Sequence, residues 1–419
     1  MPFASQCATG RAITRAVAGL IIGSLFLTGC ATLLRHPVPL DVQDEPSIAG
    51  FSNIRYFPLT EVGPLSEAIR QSFLTEEPDS YETLAPGSRR YNYLAISGGG
   101  SDGAFGAGIL NGWSSKGNRP NFKVVTGVST GALIAPFAFL GSTHDREITE
   151  AYTTVNPDRI YLIRSLISIL WEESVADNKP LKNLVNTYIT SSILDEIAVE
   201  HAKGRRLYVA STNMDREEPV IWDMGAIASS KDPQRLELFR SVLVASASIP
   251  AIFPPTLVKV SIAGKQYDEL HCDGGVFFQS FFIGAVVDLP ALIREAHPDY
   301  NGRVVQDLYV IRNGSTTPSR KQINRGLRSI SERAIGTMLK VSGINDLYRL
   351  FLSTEHDHIG FYFVSLPADY VRTTDEEFNE TEMNRQYQLG YKLGAEGIPW
   401  RRLPPGYVLK NQRTSIATH

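Results

Sequence analysis

The stretch with the clearest structural meaning is FKVVTGVSTGALIAPFAFL, residues 122–140. Its pattern predicts a short strand over Phe122–Thr126 and a helix over Thr130–Leu140. Between the two lies a G-x-S-x-G motif in which Gly127 and Gly131 flank Ser129. Glycines two residues to either side of a serine leave room for a tight strand-to-helix turn. Ser129 is therefore predicted to lie on such an elbow, with its hydroxyl near a helix N-terminus that favours negative charge.

A second glycine motif precedes this one along the chain and consists of Gly98, Gly99, Gly100, Ser101, Asp102 and Gly103. It follows a predicted strand at Tyr91–Ser97 and opens a predicted helix at Ala104–Trp113. A dinucleotide-binding turn would need an acidic residue about 20 positions later, and residues 118–128 contain none. A phosphate-binding loop would end in Gly-Lys-Ser/Thr, which is absent. Unobstructed backbone N–H groups suit an oxyanion hole, with a purely structural turn as the alternative.

A third motif, Asp273-Gly274-Gly275, follows His271 and Cys272. Asp-Gly-Gly by itself is typical of a turn. Glycines on one side of Asp273 would leave its carboxylate approachable, so Asp273 is a candidate partner for Ser129. A histidine two residues away lies on the same side of an extended chain, but a structural role for His271 is the simpler interpretation.

These motifs together resemble the patatin-like phospholipase family, whose members carry a G-G-G-x-[Arg/Lys]-G loop, a G-x-S-x-G elbow and an Asp-Gly-Gly or Asp-Gly-Ala. The segment Ala245–Pro255 is also similar to an Ala-Ser…Pro…Phe-Pro-Pro segment of the family, and order and spacing match over about residues 92–280. The resemblance implies a Ser129–Asp273 dyad without histidine, acting on lipid acyl esters with no metal or organic cofactor. It implies an oxyanion hole at Gly98, Gly99, Gly100, Ser101 and Gly103, and a turn at Gly274 and Gly275.

The sequence departs from the family at Asp102, which stands where Arg or Lys is usual. Backbone donors do not depend on that side chain, so the oxyanion hole is expected to persist. Loss of the basic residue weakens the case for an anionic head group. A carboxylate turned inward would raise the pKa of Asp273, but we expect Asp102 to face solvent. An ordinary Asp, with a pKa near 3.9, is a poor base, so burial must raise the pKa of Asp273.

Strand and helix patterns alternate along the rest of the chain, which favours a mostly parallel sheet covered on both faces. The resemblance implies a three-layer α/β/α patatin-like fold with Ser129 on the elbow. Further strands are predicted at Leu207–Ser211, Val220–Trp222, Leu257–Ile262, Leu308–Ile311 and Phe361–Leu366. Further helices are predicted at Arg235–Ala247, Arg325–Leu352 and Glu376–Leu393.

The first 29 residues have the features of a bacterial lipoprotein signal peptide: Arg11 and Arg15, then an apolar run over Ala16–Leu27 that is too short to span a bilayer. Leu27–Cys30 resembles a lipobox, which implies that Cys30 becomes a lipidated first residue. Multiple acyl chains would anchor the protein firmly in a membrane. By the sorting pattern of such lipoproteins, Ala31 rather than Asp after the cysteine implies the outer membrane if the source is a Gram-negative bacterium. A small-residue stretch that ends in cysteine by chance is the alternative.

The predicted organisation is a signal peptide at 1–29, lipidated Cys30 with a Pro-rich extended tether over 30–90 that includes a helix near Leu65–Phe73, a hydrolase domain at 91–405 and a tail at 406–419. Removal of the signal peptide would change the formal charge from −3 to −5. This charge gives no basic footprint for nucleic acid. The partners expected are a membrane and a lipid or other acyl-ester substrate.

Two alternative functions remain open. The first is an α/β-hydrolase, which would use Ser, acid and His in that order. His297, His356 and His358 follow late enough to serve, although Ser129 comes early for that fold. The second is a catalytically inactive envelope lipoprotein with the same fold.

The segment Arg159–Glu173 is apolar nearly all round, which suggests a buried helix or, alternatively, a lid. No set of His and Cys residues has metal-ligand spacing, since His356-Asp357-His358 stands alone.

Overall fold

A computed structural model describes residues 35–408, apart from 45, 86, 155–157, 159, 161, 164–173 and 175. The predicted signal peptide, Cys30 and most of the Arg159–Glu173 segment lie outside the described residues. Within that segment Leu162 and Ile163 form a two-residue strand, so the structure differs there from the predicted helix. No helix in the described part of the chain has the length and apolar character needed to cross a membrane.

The strands include all those predicted and add four of two to four residues and one of nine residues, Lys265–Asp273, that the sequence did not predict. They are β1 Arg55–Tyr56, β2 Glu82–Ala85, β3 Ser88–Ile96, β4 Val124–Val128, β5 Leu162–Ile163, β6 Ala176–Asp177, β7 Arg206–Asn213, β8 Glu218–Asp223, β9 Thr256–Ile262, β10 Lys265–Asp273, β11 Arg303–Ser315 and β12 Gly360–Leu366.

The helices lie between them. They are α1 Val62–Leu74, α2 Gly103–Ser115, α3 Thr130–Leu140, α4 Asp145–Thr153, α5 Lys179–Tyr188, α6 Ser191–Ala202, α7 Met224–Ser229, α8 Arg235–Ser246, α9 Leu289–Ala296, α10 Leu327–His356 and α11 Glu380–Glu396.

One mixed sheet organises the fold, in the order β1-β8-β7-β4-β3-β11-β12. The five strands from β7 to β12 in this order are parallel. Strands β1, β2, β8, β9 and β10 join antiparallel. Carboxyl ends of parallel strands lie at one edge of the sheet, so the loops after β3, β4 and β11 converge there.

The sheet separates two hydrophobic cores because successive side chains of a strand point to opposite faces. On β3, Leu94 and Ile96 belong to the core that contains α2, α3, α6 and α8. Tyr93 and Ala95 belong to the other core, which contains α1, α9 and the second half of α10. This arrangement confirms the three-layer α/β/α fold with a mostly parallel central sheet.

Helices α2 and α11 pack with their backbones in contact. A Cβ placed on Gly108 would lie 2.1 Å from the carbonyl oxygen of Tyr387, and one on Gly390 would lie 2.3 Å from that of Phe105. Only glycine permits this approach. It brings α11, and with it Gln386, beside the glycine-rich loop that opens α2.

The segment predicted as an extended tether packs on the domain from residue 35 onward. Arg35 forms ion pairs with Asp215 and Asp268 at 2.6 and 2.8 Å, and Val38 is buried. Arg55 forms a buried ion pair of 2.6 Å with Glu269. The predicted helix is present as α1. Prolines hinder regular secondary structure, but they do not prevent an irregular segment from packing, and this explains the difference.

Candidate active site

Ser129 lies on a strained turn between β4 and α3. Its backbone has φ 54° and ψ −124°, a region that a residue with a Cβ seldom adopts. A Cβ on Gly127 would lie 2.5 Å from the carbonyl oxygen of Gly131, and one on Gly131 would lie 2.2 Å from that of Ile96. The turn is closed by the Ser129 N–H, which donates 3.0 Å to Ser246 Oγ. The local geometry is that of a nucleophile elbow.

The sheet register explains why Asp273 lies beside Ser129. Val128, at the end of β4, pairs with Ala210 of β7. Asp273, at the end of β10, pairs with Ser211, the next residue of β7. Strand β8 occupies one edge of β7, so β4 and β10 both pair with the opposite edge. They follow one another along that edge and meet end to end. Two residues 144 positions apart in the sequence are thereby brought together.

The Asp273 carboxyl is buried and only partly hydrogen-bonded. The Gly275 N–H donates 2.7 Å to Oδ1, and Oδ2 has no hydrogen-bond partner of good geometry among the described residues. Burial raises the pKa of Asp273 to about 7, against the smaller opposing effects of the Ser129 hydroxyl and the Gly275 N–H. The unpartnered oxygen and the raised pKa are the properties a proton acceptor for Ser129 would need.

The glycine-rich loop passes directly over the elbow, since a Cβ on Gly98 would lie 3.2 Å from that of Ser129. Of the five residues predicted to form an oxyanion hole, two have their N–H groups engaged elsewhere. Gly98 donates to the Gln279 carbonyl at 2.9 Å, and Gly103 donates to the carbonyls of Gly100 and Ser101. The structure differs there from the prediction and leaves the N–H groups of Gly99, Gly100 and Ser101 as candidate donors.

A buried arginine supports this loop from behind. Arg312 Nη1 donates 2.8 Å to the carbonyl oxygen of Gly98 and 3.0 Å to Ser97 Oγ. A Cβ on Gly99 would lie 2.1 Å from the Asn313 carbonyl oxygen, so the loop is in backbone contact with the end of β11. No motif in the sequence identified Arg312, because its role depends on β11 lying next to β3.

Asp102 turns toward protein rather than solvent, contrary to expectation. Gln386 of α11 donates 2.7 Å to Oδ1, and Arg372 Nη1 lies 3.4 Å from the same oxygen. Burial raises the pKa of Asp102, and Arg372 opposes that rise. Asp102 is not among the groups that shift the pKa of Asp273. The acidic residue at the usual Arg/Lys position is therefore accompanied by a basic residue from the segment after β12.

An apolar cavity opens from Ser129 between helices on one face of the sheet. The space between its lining residues that is not filled by protein atoms is about 830 Å³, a figure that includes open solvent. Its lining includes Ile134 and Phe137 of α3, Val185 of α5 and Leu243 of α8. Gly100 and Ser129 also belong to the lining. The composition suits an extended hydrocarbon chain with its carbonyl group at the serine.

The histidines considered for a triad lie elsewhere. His297 Nε2 pairs with Glu76 at 2.9 Å, and Glu76 also binds Lys123, which precedes β4 at the amino edge of the sheet. His356 pairs with Asp357 at the exposed end of α10, and His358 is exposed. These positions disfavour a Ser-Asp-His triad built from them.

His271 is buried between Ser211, at 2.9 Å, and Glu269, at 3.1 Å, which fits a structural role. The Cys272 thiol is likewise buried, and burial raises its pKa to about 12, so it is a poor nucleophile. Within the described residues no three His, Cys, Asp or Glu side chains are grouped to hold a metal ion.

A serine on a strained elbow, a nearby buried aspartate and a facing glycine-rich loop are features expected of the class of α/β acyl hydrolases. Residues 94–285 match the model of the patatin-like phospholipase family. The chain thus carries a patatin-like phospholipase domain, which supports lipid acyl hydrolysis as its general activity.

Among solved structures the chain is similar to VipD from Legionella pneumophila, with 13% sequence identity, a TM-score of 0.35 and coverage of 75% of this chain and 69% of that one. No curated protein matches the chain.

Proposed function

We propose that the protein is a membrane-tethered serine acyl hydrolase in which Ser129 attacks an acyl ester and Asp273 accepts its proton. The observation that carries the proposal is the position of the pair: a strained serine that lines an apolar cavity meets an aspartate with a raised pKa and an unpartnered oxygen. Glycerophospholipids or related acyl esters are the substrate class that fits this cavity and the family.

The first half of the reaction forms an acyl-enzyme. Ser129 Oγ bonds to the ester carbonyl carbon while its proton passes to Asp273 Oδ2. The negative charge that develops on the carbonyl oxygen is stabilised by N–H groups of Gly99, Gly100 and Ser101. The intermediate then expels the alkoxide of the substrate, which takes the proton from Asp273. The products of this half are an alcohol and an ester of Ser129.

The second half repeats the chemistry with water as nucleophile. Asp273 accepts a proton from water, the resulting hydroxide attacks the acyl carbon, and the proton returns to Ser129 Oγ as the acyl bond breaks. Fatty acid leaves and the serine is regenerated. A pKa of about 7 suits Asp273 to both steps, because it can accept and return a proton near neutral pH.

Attachment through lipidated Cys30 is part of the proposal. The lipobox-like sequence supports it, and Ala31 supports the outer membrane as location. Intact-mass measurement of protein from membranes would detect a chain that begins at Cys30 with acyl chains attached. The Cys30→Ser variant would retain the signal peptide and lose the added mass. An unmodified, uncleaved chain in the wild type would contradict the assignment.

The catalytic assignment is tested by comparing wild type with Ser129→Ala and Asp273→Asn on phospholipid and on a soluble short-chain ester, with Ser115→Ala as control. Ser115 lies at the far end of α2. We expect both site variants to lose at least 10³-fold in kcat and the control to retain full activity. A fluorophosphonate should label wild type at Ser129. An inactive lipoprotein would show neither labelling nor hydrolysis, and activity that survives Ser129→Ala would overturn the assignment.

A further inference from the structure

The first half of α10 carries an apolar face that no described part of the protein covers. Between Leu327 and Ser342 none of the residues whose burial the structure describes is buried, whereas Leu347, Leu350 and Phe351 in the second half of the helix are buried in the core. The exposed apolar side chains form what we call the apolar stripe: Leu327, Ile330, Ile335, Met338 and Val341, which are 46–86% exposed.

The stripe has the periodicity of a single helix face. At about 100° per residue its five members fall within an arc of about 140°, and the polar residues inside that arc are Ser331 and Ser342. Arg333 and Lys340 lie on the opposite side and bind the preceding loop, Arg333 through the Ser319 carbonyl and Lys340 through that of Thr317. The loop therefore contacts the polar side of the helix through these two hydrogen bonds, and the apolar side remains exposed.

Charge distinguishes this region from the rest of the chain. Residues 318–341 contain six Lys and Arg and one Glu, while the whole chain has a net charge of −3. Arg320, Lys321 and Arg325 lie in an exposed segment that leads into the helix, where Lys321 forms an exposed ion pair of 2.6 Å with Asp375. An apolar helix face flanked by cations is the pattern of helices that lie in the interface of a membrane containing anionic lipid.

The stripe also lies at the edge of the sheet where the candidate active site opens. Gly343 of α10 is in contact with Arg312, since a Cβ on Gly343 would lie 2.9 Å from the Arg312 guanidinium. Arg312 in turn donates a hydrogen bond to the carbonyl oxygen of Gly98. From Gly343 the helix continues about 24 Å toward its N-terminus at Leu327. It runs past the carboxyl end of β11, beyond the edge where Ser129 lies.

Other exposed apolar side chains surround the same edge. Val276 and Phe277, 46% and 39% exposed, directly follow the Asp273–Gly275 turn. Ile252 is 46% exposed between Ile249 and Phe253, which line the cavity. Val371, 75% exposed, adjoins Arg372, which donates 3.1 Å to Ser101 Oγ. A surface that contacted the apolar stripe and these residues would face the mouth of the acyl cavity.

We propose that the first half of α10 docks on an anionic lipid bilayer, with the apolar stripe inserted among the acyl chains and the surrounding cations on the head groups. Docking in this way presents the Ser129 pocket to the membrane surface. The anchor proposed at Cys30 would hold the protein near the membrane, and the helix would set its orientation. The proposal concerns binding, so it stands apart from the catalytic assignment of Ser129.

The decisive test places an environment-sensitive fluorophore on the stripe of the full-length chain. The fluorophore is attached to the cysteine of Met338→Cys in a chain that also carries Cys7→Ser and Cys30→Ser, which remove two competing thiols. Cys272 stays in place because it is buried and its pKa is raised, so it reacts poorly. Val199→Cys on α6 is the matched control, because Val199 is an equally apolar residue, 56% exposed on another helix. Vesicles of phosphatidylcholine and phosphatidylglycerol should shift the emission of the 338 probe to the blue and leave the 199 probe unchanged. An unchanged 338 probe would overturn the proposal.

Two further comparisons separate the possible occupants of the stripe. Replacing phosphatidylglycerol by phosphatidylcholine should weaken binding at least tenfold if the cations contribute as proposed. A blue shift of the 338 probe that grows with protein concentration in the absence of vesicles would assign the stripe to a second copy of the chain and overturn membrane docking. A shift of equal size at both probes would show that the apolar run over Ala16–Leu27, rather than α10, holds the protein on the vesicle, and would also overturn it.

Activity provides an independent readout. The double variant Ile335→Ser/Met338→Ser should lower hydrolysis of vesicle phospholipid roughly tenfold or more and leave hydrolysis of a soluble short-chain ester unchanged. Val199→Ser should change neither. Equal hydrolysis of vesicles by wild type and double variant would contradict docking. Absence of hydrolysis in every variant would instead contradict the proposed function, while the fluorescence result would still stand.

Discussion

The guanidinium of Arg312 donates a hydrogen bond of 2.8 Å to the carbonyl oxygen of Gly98. In a planar trans peptide the C=O and the following N–H point in opposite directions. Holding the Gly98 carbonyl toward β11 therefore directs the Gly99 N–H away from β11. Arg312 is a positioning residue for the loop, and it acts from a neighbouring strand rather than from within the glycine motif.

We expect Arg312→Met to lower kcat about 10²-fold with little change in KM, because the Gly99 donor would lose its orientation in the transition state. Arg312→Lys should restore part of the rate, since an ammonium group can still donate to the Gly98 carbonyl. Steady-state kinetics on a soluble ester, with thermal denaturation to verify folding, provides the measurement. A loss of stability with normal kcat in the folded fraction would indicate a structural role alone.

The pH dependence of hydrolysis should follow the ionisation of Asp273. Burial raises its pKa to about 7, and only the deprotonated carboxylate accepts a proton. The value of kcat/KM should therefore rise with pH through a midpoint near 7 and level off above it.

Asp102→Asn is the matched control for this profile. Its carboxyl does not act on the pKa of Asp273, so the midpoint should stay where it is. A midpoint near pH 4 in wild type, or a midpoint moved by Asp102→Asn, would contradict this assignment of roles.

The same carboxyl should reduce stability at alkaline pH. Because the folded-state pKa of Asp273 lies above its ordinary value of 3.8, the folded state binds the proton more tightly than the unfolded state. The contribution of the Asp273 carboxyl to the free energy of unfolding is most favourable below about pH 4 and is lost as pH rises to about 7. The free energy of unfolding changes by up to about 4 kcal/mol over this range.

Asp273→Asn should therefore be inactive yet more stable than wild type at pH 8, and close to wild type at pH 4. Urea denaturation at both pH values measures the difference. An equal effect at the two pH values would indicate that packing, not charge burial, causes it.

The sequence predicted local features well and contacts between distant segments poorly. The helix at Thr130–Leu140 followed from the local pattern. The pairing of Ser129 with Asp273 followed from the resemblance to the patatin-like family, and the structure brings the pair together. Arg312 and Gln279 left no signal, because their importance arises only when strands distant in sequence become neighbours. The packed segment after Arg35 was missed for the same reason: its ion pairs involve residues about 200 positions away.

The elbow glycine Gly131 should tolerate no side chain. A Cβ there would lie 2.2 Å from the carbonyl oxygen of Ile96, which belongs to the rigid central sheet, so β3 or α3 would have to move. Gly131→Ala should lower the free energy of unfolding by about 3 kcal/mol.

Gly336 in α10 provides the contrast, with no atom near the position of an added Cβ. Gly336→Ala should raise the free energy of unfolding by about 0.5–1 kcal/mol, because alanine is the better helix former. Chemical denaturation of both variants provides the measurement. A neutral Gly131→Ala would show that the elbow can relax.

The shape of the cavity should decide which acyl chains are accepted. Val185 lies on α5 in the wall of the cavity and is almost fully buried, so Val185→Phe would place an aromatic ring in space that a long chain needs. Short acyl groups require only the part of the cavity near Ser129.

We expect kcat/KM for a long-chain p-nitrophenyl ester to fall about tenfold or more, while that for the butyrate ester stays within about twofold, because a few displaced methylenes account for such a factor. Val199→Phe, on the exposed face of α6, is the matched control and should affect neither substrate. If both chain lengths lose activity equally, the ring has disturbed the serine elbow. If neither loses activity, the acyl chain does not bind along α5.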